Sequence, residues 1–426
     1  MKIIRREGLP MARASHCLLG LCLVLVAACQ PTQTSADGPA SGADLTVLAA
    51  HDLQLSPPDQ TAASVDAAMA VDATFASPDA CCQSQPPDPV ALLSGLASPQ
   101  YLAVDSTNVY VALYGASYTD VEHTNSEVIR CNKNGCGNMP AIIQPPGIDF
   151  TPSGLAISTG TSPLLVWGNS NYAPIVNVTA SSFTFGFDCL TSGCTSPGEL
   201  MNGTLPVSGS GNGASCGNTS SFALSGSVAF LTSDCGPGGS LLVAVPLPRG
   251  TVTQIARLES LSGSIAADAK NVYWATPDDP ATKKPAIEVC PLAGCASSVN
   301  YGYGAQFVTG LANTPGGIST DGVNVYWVDS IAGQVLTCPA TGCANQPTVL
   351  AGGQGSPGST ALDSANVYWT NFKSGQVMRC ALAGCNGKPE VLAQNQSGPS
   401  ALALDASSVF WINGGAANGS VMRVPK

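Results

Sequence analysis

Short apolar runs bounded by turn residues recur about every 40 residues from about residue 99 to the end of the chain. The regular copies share the pattern Asp-x-x-Asn-Val-Tyr-Trp, in which a turn leads into a strand rich in β-forming residues. The copies are Asp268–Trp274, Asp321–Trp327 and Asp363–Trp369, with variants at Asp105–Val111 and Asp405–Trp411. A period of this length with a paired aromatic signature predicts a propeller or a solenoid of small sheets.

Each repeat unit is interpreted as four short antiparallel strands joined by tight turns. In the unit around Trp369, apolar and β-branched residues cluster in four runs separated by turn residues such as Ser374-Gly375 and Gly398-Pro399. The runs are 359–363, 366–370, 376–380 and 390–393. Four strands of this length make one propeller blade, so the pattern predicts an all-β protein.

The two ends of the repeat region predict how the ring closes. The last unit stops at its third strand, Ser420–Val424, while Pro89–Leu93 before the first unit matches the fourth strands Pro347–Leu350 and Pro389–Leu392. An N-terminal strand that completes the last blade would pair the first and last edges. A solenoid would instead need capping units. We therefore predict a seven-bladed β-propeller of four-stranded blades, with six or eight blades as the alternative counts.

The aromatic signature also resembles a known repeat. Tyr368–Asn371 and Tyr326–Asp329 are similar to the YWTD repeat of low-density-lipoprotein-receptor-type (class B) propellers, and the spacing resembles NHL-type and streptogramin-lyase-type propellers. Three units depart from the pattern, at Val111, Trp167 and Phe230. The resemblance implies a propeller over about residues 90–426 and says little about function, because propellers host many unrelated activities.

The N-terminus has the features of an export signal. Four basic residues precede an apolar run, Leu18–Ala28, which is too short to span a bilayer comfortably. The run ends in Val26–Cys29, which resembles the bacterial lipobox and implies a lipoprotein signal peptide over residues 1–28, with the membrane lipid anchor on Cys29. Gln30 after the cysteine implies, by the same resemblance, the outer membrane or cell surface. The alternative is an ordinary cleaved signal peptide in which Cys29 is incidental.

The segment between the signal and the repeats is predicted to be a tether. Residues 29–88 are rich in Ala, Pro, Ser and Asp and almost lack aromatics, so they cannot bury a core and we expect disorder. Residues 89–426 would form the propeller. The whole chain has a formal net charge of −11, which argues against nucleic acid as a partner.

The cysteines predict a series of hairpin disulfides. Five copies of Cys-x-x-x-Gly-Cys fall between the third and fourth strands of different units: Cys131/Cys136, Cys189/Cys194, Cys290/Cys295, Cys338/Cys343 and Cys380/Cys385. In an oxidising envelope, cysteines that flank a tight turn favour a disulfide, whereas pairs on five blades cannot converge on one metal. Cys216 and Cys235 are symmetric about a predicted hairpin and form a sixth expected pair. Cys81 and Cys82 could bond to each other or to another chain.

Catalytic chemistry is poorly represented in the sequence. Of three histidines, His16 lies in the signal, His51 in the tether and His123 in a loop of the first unit. One histidine in the repeat region argues against a multi-histidine metal site and leaves few residues for a Ser-His-Asp triad. We expect no metal and no cofactor. The repeated aspartates, one at the same turn of each unit, are expected to bond their own backbone.

Long insertions on one face suggest where a ligand binds. The connections 114–125, 169–182 and 277–285 lie on the same predicted face, and such insertions often mark the binding face of a repeat array. The candidate ligand-binding residues are Tyr114, Tyr118, His123, Tyr172, Asp278, Asp279, Lys283 and Lys284. The alternative is neutral variation in loop length.

Three functions are compatible with these features. The first is a non-catalytic binding or scaffold module for a protein or glycan of the cell envelope. The second is a lyase- or hydrolase-type enzyme that uses the long-loop face and His123. The third is a surface adhesin or polysaccharide binder that uses exposed tyrosines.

Overall fold

The computed structural model describes a large part of the region predicted to be a propeller. The described residues are 88–115, 126–144, 152–158, 163–169, 183–184, 186–190, 198–199, 202–203, 218–234, 240–248, 250–258, 260, 263–279, 281–295, 303–414 and 418–426. All of them belong to one compact unit, Ser77–Lys426. Within these ranges no helix is long and apolar enough to cross a membrane.

The described residues form seven four-stranded antiparallel sheets and one two-stranded sheet. The first strand, β1 (Val90–Leu96), belongs to the last sheet. Blade 1 contains β2 (Pro99–Val104), β3 (Asn108–Leu113), β4 (Glu127–Asn132) and β5 (Ala141–Gln144). Blade 2 contains β6 (Pro152–Ile157), β7 (Leu164–Asn169), β9 (Gly186–Leu190) and β10 (Gly198–Glu199), beside a two-stranded sheet of β8 (Phe183–Thr184) and β11 (Asn202–Gly203).

The next sheets follow the same strand order along the chain. Blade 3 contains β12 (Asn218–Ser225), β13 (Val228–Asp234), β14 (Ser240–Pro246) and β15 (Thr253–Leu258). Blade 4 contains β16 (Ile265–Ala267), β17 (Asn271–Thr276), β18 (Ala286–Pro291) and β19 (Ala305–Val308). Blade 5 contains β20 (Gly316–Thr320), β21 (Asn324–Asp329), β22 (Gln334–Pro339) and β23 (Thr348–Ala351).

The last two sheets complete the series. Blade 6 contains β24 (Pro357–Leu362), β25 (Asn366–Asn371), β26 (Gln376–Ala381) and β27 (Glu390–Ala393). Blade 7 contains β28 (Pro399–Leu404), β29 (Ser408–Asn413), β30 (Gly419–Pro425) and the N-terminal strand β1. The prediction of an all-β propeller with four-stranded blades is confirmed.

The N-terminal strand completes the last blade, as the sequence predicted. Strand β1 pairs antiparallel with β30, with Val90 opposite Arg423 and Ser94 opposite Ser420. The strand continues to Leu96, three residues beyond the predicted end. The first strand of each sheet contacts the first strand of the next, in the order β2, β6, β12, β16, β20, β24 and β28, and β28 in turn contacts β2.

The core is divided among the seams between adjacent blades. Successive side chains of a strand point to opposite faces, so the Tyr and Trp of one second strand enter different seams. Tyr326 of blade 5 packs in one cluster with Trp369 of blade 6, and Tyr368 of blade 6 packs with Trp411 of blade 7. All four side chains are fully buried. The aromatic pair of blade 6 therefore contacts both neighbouring blades.

Because the strands alternate in direction, the connections fall on two opposite faces of the ring. We call the face that carries the connections between first and second strands and between third and fourth strands the turn face. The opposite face, which carries the connections between second and third strands and between successive blades, is called the loop face.

Candidate functional site

The repeated aspartates on the turn face bond to their own backbone, as predicted. In blade 6, Asp363 Oδ1 accepts the N–H groups of Ala365 at 2.9 Å and Asn366 at 2.8 Å. The same two bonds hold the turns that start at Asp105, Asp268, Asp321 and Asp405. These carboxylates close turns, which is the ordinary chemistry of Asp at such positions.

The second carboxylate oxygen of several of these aspartates accepts a tyrosine hydroxyl. Tyr110, Tyr326 and Tyr368 donate to Asp105, Asp321 and Asp363 at 2.8, 3.2 and 2.7 Å. Burial, together with the adjacent carboxylate, raises the pKa of Tyr326 and of Tyr368 to about 12. The hydroxyls therefore remain protonated donors, and the repeated Asp–Tyr pairs serve the fold.

Four of the predicted disulfides are present among the described residues. They join Cys131 to Cys136, Cys290 to Cys295, Cys338 to Cys343 and Cys380 to Cys385. The first cysteine of each pair is buried in a seam cluster shared with the preceding blade. The other predicted cysteine positions lie outside what the structure describes: the side chain of Cys189, and the residues Cys194, Cys216, Cys235, Cys81, Cys82 and Cys29.

Glutamine side chains on the loop face join successive blades. Gln354, between blades 5 and 6, accepts the indole N–H of Trp369 at 3.0 Å and the amide N–H of Asn371 at 2.9 Å. The same arrangement recurs between blades 6 and 7 with Gln396, Trp411 and Asn413. At the equivalent position in blade 5, Asp329 closes a local turn by accepting the N–H groups of Ile331 and Ala332.

The candidate ligand-binding residues fall into two groups. Tyr118, His123 and Tyr172 lie outside the described residues. Tyr114 follows β3 on the loop face and is half-buried; its backbone N–H donates to Ser98 and its carbonyl accepts the hydroxyl of Ser126. Its backbone is therefore occupied in holding the start of the insertion.

The other described candidates form the connection between β17 and β18 on blade 4. Asp279 is 1% exposed, and Oδ1 accepts the N–H groups of Ala281 at 3.1 Å and Thr282 at 2.7 Å. Both carboxylate oxygens also accept the side-chain amide of Gln306 at 3.1 Å. Burial alone would raise the pKa of Asp279, but these hydrogen bonds outweigh it and lower the pKa. Asp279 thus fixes the shape of the loop from inside.

The remaining side chains of this loop face solvent. Asp278, Lys283 and Lys284 are exposed, and the backbone of Lys283 has a positive φ of 53°. The loop is closed by backbone bonds from Lys283 N–H to the Asp279 carbonyl and from Asp279 N–H to the Lys284 carbonyl. This hydrogen-bonded turn therefore presents two adjacent, exposed ammonium groups. Blade 4 is separated from blade 1 and Tyr114 by blades 2 and 3.

Two exposed apolar side chains on the loop face were missed by the sequence reasoning. Ile331 on blade 5 is 80% exposed, and Phe372 on blade 6 is 54% exposed. Both lie in short connections between second and third strands, whereas the search had favoured long insertions. The available signal was a large apolar residue one or two positions after the polar residue that ends a second strand.

The described residues contain no group of three or more His, Cys, Asp or Glu side chains that could hold a metal ion. All three histidines lie outside the described ranges. The polar chemistry that the structure describes on the two faces is thus largely devoted to turns and to contacts between blades.

Comparisons with known proteins support the fold. No protein-family model matches the chain, and no curated protein matches it. Among solved structures, the chain is similar to a catalytically inactive His-to-Ala variant of virginiamycin B lyase from Staphylococcus aureus with quinupristin, with a TM-score of 0.54 and 11% identity, covering 79% of this chain and 98% of that one. A selenomethionine form of the same lyase gives a TM-score of 0.51 at 12% identity, again with 79% and 98% coverage.

A third similar structure is a Mycobacterium tuberculosis puromycin-hydrolyzing peptidase, with a TM-score of 0.50 and 15% identity over 78% of this chain and 50% of that one. At such low identities the likeness shows the fold alone. By fold, this chain is a β-propeller similar to streptogramin-lyase-type propellers.

Proposed function

We propose that the chain is an envelope-anchored lipoprotein whose disulfide-stapled propeller is a non-catalytic binding or scaffold module for a protein or glycan. In this proposal the seven four-stranded sheets close into one seven-bladed ring, residues 29–88 are the tether, and Cys29 carries the lipid. The loop face binds the partner.

One observation carries the binding role. The polar side chains that repeat from blade to blade bond to the turns or to neighbouring blades. Met139 and Val323 are exposed on the turn face, but the loop face of blades 4 to 6 carries several exposed charged and apolar side chains outside this repeated bonding. These are Asp278, Lys283 and Lys284 on blade 4, Ile331 on blade 5 and Phe372 with Lys373 on blade 6. Exposed polar and aromatic residues on variable loops of a rigid scaffold are typical of binding surfaces.

The test compares the two faces directly. Phe372→Ser and the double variant Lys283→Ala with Lys284→Ala change the loop face, and Val323→Ser changes an apolar side chain that is 70% exposed on the turn face. Binding of the purified chain to envelope glycans and to isolated envelope proteins is measured for each variant. We expect the loop-face variants to weaken binding at least about tenfold and the Val323 variant to bind like the unmodified chain. Equal loss in both sets contradicts the proposed face.

Anchoring is tested separately with Cys29→Ser. The unmodified chain is expected to incorporate labelled palmitate and to fractionate with membranes, and the variant to lose both properties, because acyl chains provide the anchor. Unchanged fractionation of the variant, with no label in the unmodified chain, excludes the lipid anchor but leaves the binding experiment intact.

Enzyme activity is the second candidate function, and the likeness to virginiamycin B lyase favours testing it. In that protein a His-to-Ala variant is catalytically inactive, and His123 is the sole histidine of this chain outside the predicted signal and tether. Incubation of the unmodified chain and the His123→Ala variant with quinupristin decides it. Turnover that requires His123 replaces the non-catalytic proposal, and no turnover in either supports it.

A further inference from the structure

Blade 7 differs from the other blades in how it is assembled. Its outermost strand, β1, comes from the beginning of the repeat region, and its other three strands come from the end. The pairing of β1 with β30 is non-covalent. The ring can therefore open at blade 7 when β1 separates from β30. Only non-covalent contacts are broken, because no turn connects these two strands.

One position is structurally equivalent in all blades where it is described. The residue that follows each third strand donates its backbone N–H to the carbonyl of the residue just before the second strand. The donors are Lys133, Leu247, Leu292, Ala340, Leu382 and Lys426, in blades 1, 3, 4, 5, 6 and 7. The side chain is apolar in blades 3 to 6 and is a lysine in blades 1 and 7.

Each lysine crosses the seam to the preceding blade. Lys133 of blade 1 donates from Nζ to Asp405 of blade 7 at 2.5 Å, and Nζ lies 6.0 Å from the centre of the Phe410 ring. The backbone carbonyl of Lys133 also accepts the guanidinium of Arg423 at 2.8 Å. The lysine and aspartate side chains are only 15% and 16% exposed, so this ion pair is shielded from water.

Lys426 makes the matching contact on the other side of blade 7. Nζ lies 2.8 Å from Asp363 Oδ2 in blade 6 and 5.3 Å from the centre of the Tyr368 ring. These side chains are 14% and 25% exposed. In contrast, Leu292 and Leu382 at the equivalent position pack into apolar clusters with the preceding blade.

The disulfide turn of blade 1 reinforces the seam with blade 7. Lys133 lies within the loop closed by Cys131 and Cys136. Two residues beyond this loop, Asn138 accepts the backbone N–H of Ser94 in β1 at 3.2 Å. The turn thus holds one charged and one polar contact to the closing blade.

We propose that Lys133 with Asp405, and Lys426 with Asp363, are two closing ion pairs that hold blade 7 in the ring. Breaking one partner of a shielded pair leaves a charge without compensation, and this costs more than losing an exposed surface pair. Opening of the ring therefore begins at blade 7 when either pair is lost, ahead of the seams that apolar residues hold. The inference is independent of the identity of the ligand.

Hydrogen exchange of backbone amides in the full chain tests the proposal, because exchange reports local opening. Lys133→Met and Lys426→Met keep a long apolar stem and remove the charge. Arg379→Met is the control, because Arg379 pairs with Glu390 of the same blade, at 2.8 Å, and crosses no seam. We expect the amides of β1 and β30 to exchange about tenfold faster in both lysine variants, with β22 and β23 unchanged, and no such difference in the control.

Two further variants separate charge from packing. Lys133→Arg keeps the charge and is expected to exchange like the unmodified chain, and Asp405→Asn keeps the acceptor for the turn while removing the carboxylate charge. If the lysine variants fail to fold, Asp405→Asn still reports on the pair. The proposal is overturned if amide exchange accelerates equally in all sheets, or if the Arg379→Met control shows the same acceleration. It is also overturned if exchange of the β1 amides is unchanged in Asp405→Asn.

Discussion

Removal of β1 is expected to destabilise the propeller much more than removal of the whole predicted tether. The strand places three leucines in the cluster it shares with blades 1 and 7: Leu92 is 7% exposed, Leu93 1% and Leu96 7%. Burial of each leucine contributes about 1.5–3 kcal/mol, so the three contribute about 5–9 kcal/mol. Because whole domains are stable by only about 5–15 kcal/mol, loss of β1 removes most of the margin.

Two truncations measure this effect. Deletion of residues 30–86 removes the predicted tether and leaves β1, whereas deletion of residues 30–96 removes both. We expect the first protein to melt cooperatively at the temperature of the longer chain. The second should lose at least about 10 °C in Tm and aggregate, because the edge of β30 becomes open. Thermal melts followed by circular dichroism provide the measurement.

Point variants within the strand give a finer test. Leu93→Ala leaves a cavity and is expected to cost about 2–5 kcal/mol in urea unfolding. Val90→Ala, at a side chain that is 51% exposed, should stay within about 0.5 kcal/mol of the unmodified chain. Equal melting temperatures of the two truncations, or equal costs of the two substitutions, would refute the closing role of β1.

Three further results are expected. Replacement of Cys338 and Cys343 by Ala should lower the free energy of unfolding by about 2 kcal/mol in urea titrations, and peptide mapping without reductant should find this pair joined within the unmodified chain; a free thiol there would contradict the structure. Gln354→Ala should cost about 1–3 kcal/mol, because the indole N–H of Trp369 loses its glutamine acceptor, whereas no cost would show that water replaces the glutamine. Burial alone would raise the pKa of Asp363, but the Lys426 ammonium and the turn N–H groups outweigh it and hold the pKa well below 3.8. The carboxylate therefore stabilises the fold above about pH 4, and this contribution falls as the pH drops further. In urea titrations, the difference in the free energy of unfolding between the unmodified chain and Asp363→Asn should be constant between about pH 5 and 8 and should shrink in acid.

The sequence determined the features that depend on local chemistry. The Asp turns and the cysteine turns are encoded within about five residues, and the alternation of buried and exposed positions defines the second strands. The match of Pro89–Leu93 to the fourth strands was enough to predict closure. The outer strand of a blade must bury the same alternate positions, whichever part of the sequence supplies that strand. The candidate site was predicted less well, because loop length alone pointed to the insertions and missed Ile331 and Phe372.

Only the tertiary structure decided which distant residues meet across the seams. Asp279 had been chosen as a ligand-binding candidate from its place in a long loop, yet Gln306 and the loop backbone enclose its carboxylate. In the same way, nothing near Lys133 in the sequence indicates Asp405, which is 272 residues away. Turns and strands form from interactions between near neighbours in sequence, whereas each seam brings together side chains from two blades. Their partners are therefore fixed by the closure of the ring.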